Sequence, residues 1–259
     1  MLQENSRRRR FGRGLRPYVA LLGLLVFCMM PRPAYAVGGT FFDGLDYFDT
    51  GRWQKADGWT NGNPFNVGWR ADHVSFSGGF MSLRLDTTPC PSGCSGKPYA
   101  SGEYRSTDTY GYGKYETRFK AAKGSGLVTS FFTYTGTAGT SNHHEIDIEI
   151  LGKDTTKMQT NYFVGGVGGH EVIIPLGFDA AAGYHNYAFV WTANKIEWIV
   201  DDVVVHTEYA AAGKPLPSLP GKIMANMWAG TGVDGWLGPF TYPGTPIYAK
   251  YDWIQYFVL

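Results

Sequence analysis

Cysteine is scarce in this 259-residue chain, with three copies, and lysine is absent from the first 36 residues. No apolar run approaches the ~20 residues that a helix needs to cross hydrocarbon. The longest, Tyr18–Met30, has 13. No window of a dozen residues sustains a 3.6-residue apolar period, and 35 glycines with 16% aromatics are too many for a helical bundle. Basic charge is also missing where a nucleic-acid binder needs it. Beyond residue 36 there are 16 basic against 21 acidic side chains over 223 residues, a formal charge of −5. An acidic body cannot neutralise phosphates, so no nucleic-acid partner is expected. A content of 44% apolar residues is too high for a disordered chain and suits one domain with a real core.

What the first 36 residues do contain is ordered. Seven arginines accompany a single acid, Glu4; then come the apolar stretch and Ala34-Tyr35-Ala36. That order predicts a secretory signal over residues 1–36, with a membrane anchor as the alternative. Arg8-Arg9-Arg10-Phe11 also permits a twin-arginine route. The mature domain is expected over 37–259, secreted to an extracellular or periplasmic space, monomeric, with no membrane anchor once the signal is removed. Cys28 would leave with the signal. Cys90 and Cys94, four apart in a turn-rich loop, are then placed for a disulfide worth about 2 kcal/mol by loop entropy. Metal binding and free thiols are the alternatives, although no second Cys or His pair with zinc spacing follows.

The body reads as strands between glycine-rich turns: Phe80–Leu85, Gly113–Ala121, Val128–Tyr134, Glu145–Leu151, Met158–Phe163, Tyr187–Trp191, Lys195–His206, Lys222–Trp228 and Tyr248–Phe257. Asp201-Asp202 marks a hairpin turn. So many strands in one domain predict an all-β sandwich or barrel.

One strand carries the chemistry. In Glu145-Ile-Asp147-Ile-Glu149-Ile-Leu151, alternation puts Glu145, Asp147 and Glu149 on one face and three isoleucines on the other. Carboxylates two apart lie ~6.6 Å apart along the backbone, and such crowding pushes at least one pKa upward, which lets one carboxyl stay protonated near neutral pH. Glycoside hydrolysis needs such a division between an acid and a carboxylate, ~5–5.5 Å apart in a retaining enzyme. Glu145 and Glu149 have Cα atoms ~13 Å apart on a flat strand, so their side chains must lean together. A solvated acidic face and a calcium site are the competing readings.

Neighbouring runs favour the first. Phe132 and Tyr134 share a face, as do Gln159, Asn161 and Phe163, and Asn226 with Trp228; Trp236 follows a Gly-Thr-Gly loop. Flat rings beside amides and carboxylates suit the apolar faces and hydroxyl rims of sugars. Glu103 and Arg105 share a parity, which permits a charged pair at the cleft edge or a surface salt bridge of small consequence.

Glu145-Ile-Asp-Ile-Glu149 followed by Leu151-Gly-Lys-Asp-Thr-Thr156 resembles the signature of glycoside hydrolase family 16, most closely its licheninase branch. Trp53–Gly58, Asn61-Gly-Asn63, Ser130–Gly136, Gly230–Asp234 and Tyr251-Asp-Trp253 follow in the family's order. The resemblance implies a concanavalin-like jelly roll of two curved antiparallel sheets. It implies Glu145 as nucleophile, Glu149 as general acid/base and Asp147 as their assistant. Asn61, Glu103, Arg105, Phe132, Tyr134, His143, Asn161, Asn226, Trp228 and Trp236 would line the groove. No cofactor is implied for the chemistry; one structural calcium is, with Asp252 as a ligand. Departures concern the polymer. His143-His144 stands where licheninases have Trp-Asp, Phe163 where they have Tyr, and Val67 and Tyr104 near their cysteine pair. A histidine at 143 looks like the succinoglycan-depolymerising glycanases and the xyloglucan transglycosylases, and the loop Thr88–Ala100 looks like the former. The expected activity is therefore a retaining endo-β-glycanase acting on a β-1,3-1,4-glucan or a succinoglycan-type polysaccharide. A xyloglucan-type transglycosylase and a lectin-like binding module with calcium on the acids are the alternatives.

Overall fold

The computed structural model describes residues 38–90 and 93–259. The signal expected over 1–36, with Cys28, lies outside them. Among the described residues no helix is long and apolar enough to cross a membrane.

Alternating apolar and polar side chains build seventeen strands. They are β1 (Phe41–Asp43), β2 (Trp53–Lys55), β3 (Val67–Trp69), β4 (Val74–Ser77), β5 (Phe80–Leu85) and β6 (Tyr99–Ser101). Then come β7 (Glu103–Ser106), β8 (Gly113–Lys120), β9 (Leu127–Thr135), β10 (His144–Leu151), β11 (Lys157–Val164) and β12 (Val172–Pro175). The last are β13 (His185–Trp191), β14 (Lys195–Val200), β15 (Val203–Tyr209), β16 (Lys222–Ala229) and β17 (Ile247–Val258), with one helical turn, α1 (Asp234–Leu237), before β17. Every run expected from the sequence is a strand. The short strands β1 to β4, β6, β7 and β12 were not expected, because three or four residues carry too little alternation to register a period.

Two antiparallel sheets form a sandwich. One runs β12-β11-β10-β9-β16-β7-β2; the other runs β15-β14-β13-β8-β17-β5-β4, with β1 added on β17. β3 and β6 form a separate parallel pair. Asp201 and Asp202 join β14 to β15 with φ of 45° and 65°. Both residues are in the left-handed region, which matches the twist of a two-residue hairpin.

The core lies between the sheets. Ile146, Ile148 and Ile150 of β10 are fully buried, beside Phe131 of β9 and Tyr162 of β11. Phe131 meets Phe189 of β13 at 6.2 Å between ring centroids. Two polar groups also cross the core. The Trp198 indole N–H donates to the main-chain oxygen of Asp147 at 2.9 Å, and the Tyr251 hydroxyl donates to that of Ser130 at 2.8 Å. The second sheet thus holds the backbone from which the acids project. Val67 and Tyr104 are fully buried, with Tyr104 stacked on Trp53 at 4.7 Å.

Truncating Ile148 to Ala is expected to lower stability by about 2–5 kcal/mol in urea denaturation. A loss below about 1 kcal/mol, the ordinary effect of a surface change, would contradict its central place.

Candidate active site

β10 is central in its sheet, and antiparallel register decides what surrounds its acids. Tyr134 and Phe163 lie opposite Glu145, Phe132 and Asn161 opposite Asp147, and Ser130 and Gln159 opposite Glu149. β16 continues the rows, with Asn226 opposite Ser130 and Glu103 of β7 opposite Asn226. All these side chains point away from the isoleucine face, since cross-strand partners share a face.

One row is joined by hydrogen bonds. The Gln159 amide N–H donates to Glu149 Oε2 at 2.7 Å, and the Trp236 indole N–H donates to Gln159 Oε1 at 3.0 Å. The Ser130 hydroxyl donates to Asn226 Oδ1 at 2.5 Å, and the Asn226 amide donates to Glu103 Oε2 at 3.2 Å. Glu145 Oε2 lies 2.6 Å from His143 Nε2, and Asp147 is hydrogen-bonded to Glu145. Asn161 donates to Glu171 Oε1 at 3.2 Å. The Trp69 indole N–H holds Asn61 Oδ1 at 2.8 Å.

Burial pushes the Glu149 carboxyl up to about 8, and the nearby charge of Glu145 adds to the effect; the Gln159 N–H works the other way. Burial also holds Asp147 well above the usual carboxylate range, helped by Glu145 and Glu149. Burial thus raises two of the three acids, and the neighbouring Glu145 raises both further. Glu103 is raised to about 7 by burial, against the Asn226 hydrogen bond and the Arg105 charge.

These side chains line one groove of about 1210 Å³. Glu145, Asp147 and Glu149 border it, and so do Asn61, Glu103, Arg105, Phe132, Tyr134, His143, Asn161, Asn226, Trp228 and Trp236. A family model described as "Glycosyl hydrolases family 16" matches residues 61–255. The chain belongs to glycosyl hydrolase family 16.

Relatives within family 16 span nearly its whole length. A beta-glucanase of Paenibacillus polymyxa is 52% identical over 220 residues, covering 85% of this chain and 88% of its own. The solved Bacillus licheniformis beta-glucanase is 49% identical with a TM-score of 0.77, over 86% of this chain and 99% of that one. A prokaryotic beta-1,3-1,4-glucanase (lichenase) from a mouse hindgut metagenome is 48% identical with a TM-score of 0.78, over 86% and 100%.

Not every expected contact is present in this family 16 site. Glu103 and Arg105 do not form an ion pair at the cleft edge. Glu103 is buried on Asn226, and the Arg105 guanidinium lies 5.4 Å from the Trp59 ring centroid. Asp252 stands on β17, in the sheet that does not carry the acids. It is the extra residue where the pairing of β17 with β8 shifts, between Tyr251 and Trp253, and its Oδ2 accepts from Arg118. With one oxygen given to a guanidinium, Asp252 fits a calcium poorly by side chains alone. Among the described residues no group of three or more His, Cys, Asp or Glu side chains is arranged to hold a metal ion. Cys90 and Cys94 are joined as a disulfide, and both sulfurs pack against Gly68 of β3. A β-carbon at Gly68 would lie 2.4 Å from the Cys94 β-carbon, so only glycine admits the staple there.

His144 points away from the groove, as its parity requires. It is buried, and its Nδ1 accepts from the Ser218 N–H at 3.0 Å, anchoring the Pro215–Pro220 loop. Burial lowers its basicity, and His143 lowers it further. Sequence reasoning missed Trp59, Phe65, Glu171 and Lys222, which also line the groove. Lys222 shares the face of Asn226 and Trp228 on β16, so parity could have found it. Glu171 arrives through a turn that carries no strand period.

The basic limb of kcat/KM against pH is expected near pH 8, with activity lost as pH rises and Glu149 gives up its proton. Glu149→Gln should also raise the melting temperature more at pH 8 than at pH 5. A raised carboxyl makes the folded state bind more protons than the unfolded one, so wild-type stability falls as pH rises from about 4.5 to 8. Equal gains at both pH values would contradict the burial of Glu149.

Proposed function

We propose that the chain is an exported, retaining endo-β-1,3-1,4-glucanase, with residues 1–36 as its signal and 37–259 as its catalytic domain, acting as a monomer outside the cytoplasm. One observation carries the mechanism. Glu145 and Glu149 share a strand face in one groove, the first held by His143, the second raised by burial to about 8. In the first step Glu149 donates its proton to the glycosidic oxygen while Glu145 attacks the anomeric carbon; the C–O bond to the leaving sugar breaks. In the second step Glu149, now a base, takes a proton from water. The water oxygen displaces Glu145 and returns the anomeric configuration to its starting sense. Asp147, raised by burial, lies between the two glutamates on the same face and assists the nucleophile.

The polymer reading is supported by relatives near half identity that are named beta-glucanase and lichenase. Trp59, Trp228 and Trp236 supply apolar platforms for sugar rings, and Glu103, Asn226 and Asn61 supply partners for hydroxyls. His143 and Phe163 are the positions where a different backbone polymer would be felt first, because both border Glu145.

Glu145→Gln is expected to lose at least about a thousandfold in turnover with the fold intact. Glu149→Gln should still form a glycosyl-enzyme on substrates with good leaving groups, visible as added mass. Incubation with mixed-linkage glucan, laminarin, succinoglycan and xyloglucan should shorten the first fastest. Faster cleavage of succinoglycan would move the substrate assignment, and products longer than the donor would indicate transglycosylation.

No metal enters either step, so turnover is expected to be unchanged in excess chelator. A calcium at Asp252 would appear instead as a higher melting temperature on adding the ion. Turnover that stops on chelation and returns with calcium would overturn this part.

A further inference from the structure

His143 precedes β10 by one residue, yet its ring touches the charged acid of the groove. Nε2 lies 2.6 Å from Glu145 Oε2. On the other side of the ring, the Gly139 N–H points to Nδ1 at 3.4 Å, a long contact that makes Nδ1 an acceptor. A neutral imidazole that accepts at Nδ1 carries its proton on Nε2, where it donates to the carboxylate. The ring is held between Tyr134 of β9 and Phe163 of β11, each 4.9 Å away between centroids. The main chain of His143 is pinned as well: its N–H donates to Thr140 O and its oxygen accepts from Gly166 N–H, both at 3.0 Å. Gly166 has φ of 80°, and a β-carbon there would lie 2.6 Å from the Gly139 carbonyl carbon. The two loops that fix the histidine therefore meet at a point where only glycine fits.

We propose that His143 is a positioning residue for the nucleophile: its neutral imidazole, with the proton on Nε2, holds one oxygen of Glu145 and favours the ionised carboxylate. The proposal rests on Glu145 being the nucleophile. A hydrogen bond to a carboxylate is stronger than one to an ester, so the contact also helps Glu145 depart in the second step. The groups facing His143 are Glu145 on β10, Tyr134 on β9, the uncharged Phe163 on β11 and the main chain of Gly139. His144, next in sequence, lies on the opposite face. Glu145 and Glu171 raise Asp147 and Glu149, so the acids of the groove form one electrostatic cluster. A test must therefore restore the donor as well as remove it.

His143→Phe keeps a flat ring between Tyr134 and Phe163 and removes the donor. His143→Gln loses the ring and keeps an N–H close to the Nε2 position. In His143→Phe, kcat is expected to fall about tenfold with KM changed less than about twofold, and the acid limb of kcat/KM to move up by about one pH unit. In His143→Gln the limb should return toward wild type. An unmoved limb in His143→Phe, or an equal shift in both variants, would overturn the proposal, because packing alone would not separate them. Glu145→Gln measured alongside distinguishes the two levels. If it is inactive while the His143→Phe limb stays put, only this proposal fails; if it still hydrolyses, the nucleophile assignment fails. Imidazole nitrogen NMR shifts of the wild-type protein give a readout independent of how the variants fold. The proton on Nε2 supports the proposal, and the proton on Nδ1 overturns it.

Discussion

Three carboxyl groups on alternate positions of one strand, on the face of a half-dry groove, cannot all be ionised. The whole site depends on that constraint. Like charges this close repel, and partial burial removes the water that would screen them. Burial and repulsion raise Asp147 well above the usual carboxylate range and Glu149 to about 8, beside Glu145. The same crowding that makes this strand face costly thus separates an acid from a nucleophile using residues of nearly identical chemistry. The opposite face bears the cost: three isoleucines with no exposed surface anchor β10 in the core.

Around this strand the sheet acts as a ruler. Antiparallel register lines up Gln159, Glu149, Ser130, Asn226 and Glu103 across five strands, and most links in that row are hydrogen bonds. Behind them, Trp198 and Tyr251 reach across the core to the main-chain oxygens of Asp147 and Ser130. A groove side chain therefore rests on a backbone that both sheets hold, which is what hydrolysis at a fixed geometry demands.

The adjacent histidines show how far strand alternation carries function. His143 and His144 are the same residue type one position apart, and they serve opposite sides. His143 meets Glu145 among aromatic rings in the groove, whereas His144 is sunk on the other face and accepts a main-chain N–H from Ser218. Each offers Nδ1 to a main-chain N–H, that of Gly139 for His143 and that of Ser218 for His144. Their difference is one of direction, not of chemistry.

Much of this was legible in the chain because strands have a period of two, and period needs only local residues. Alternation alone placed Glu145, Asp147 and Glu149 together, sent the isoleucines inward, and grouped Phe132 with Tyr134 and Asn161 with Phe163. Contacts between distant segments were another matter. That Glu103 pairs with Asn226 and not with Arg105, that Arg118 takes Asp252, and that Glu171 joins the groove all depend on strand order and on loops without a period. Which carboxyl keeps its proton also waited on tertiary structure, since that depends on how much water each retains and on which N–H reaches it. A sequence states what alternates along a strand; only the packed sheets decide what lies across from it and how dry it becomes.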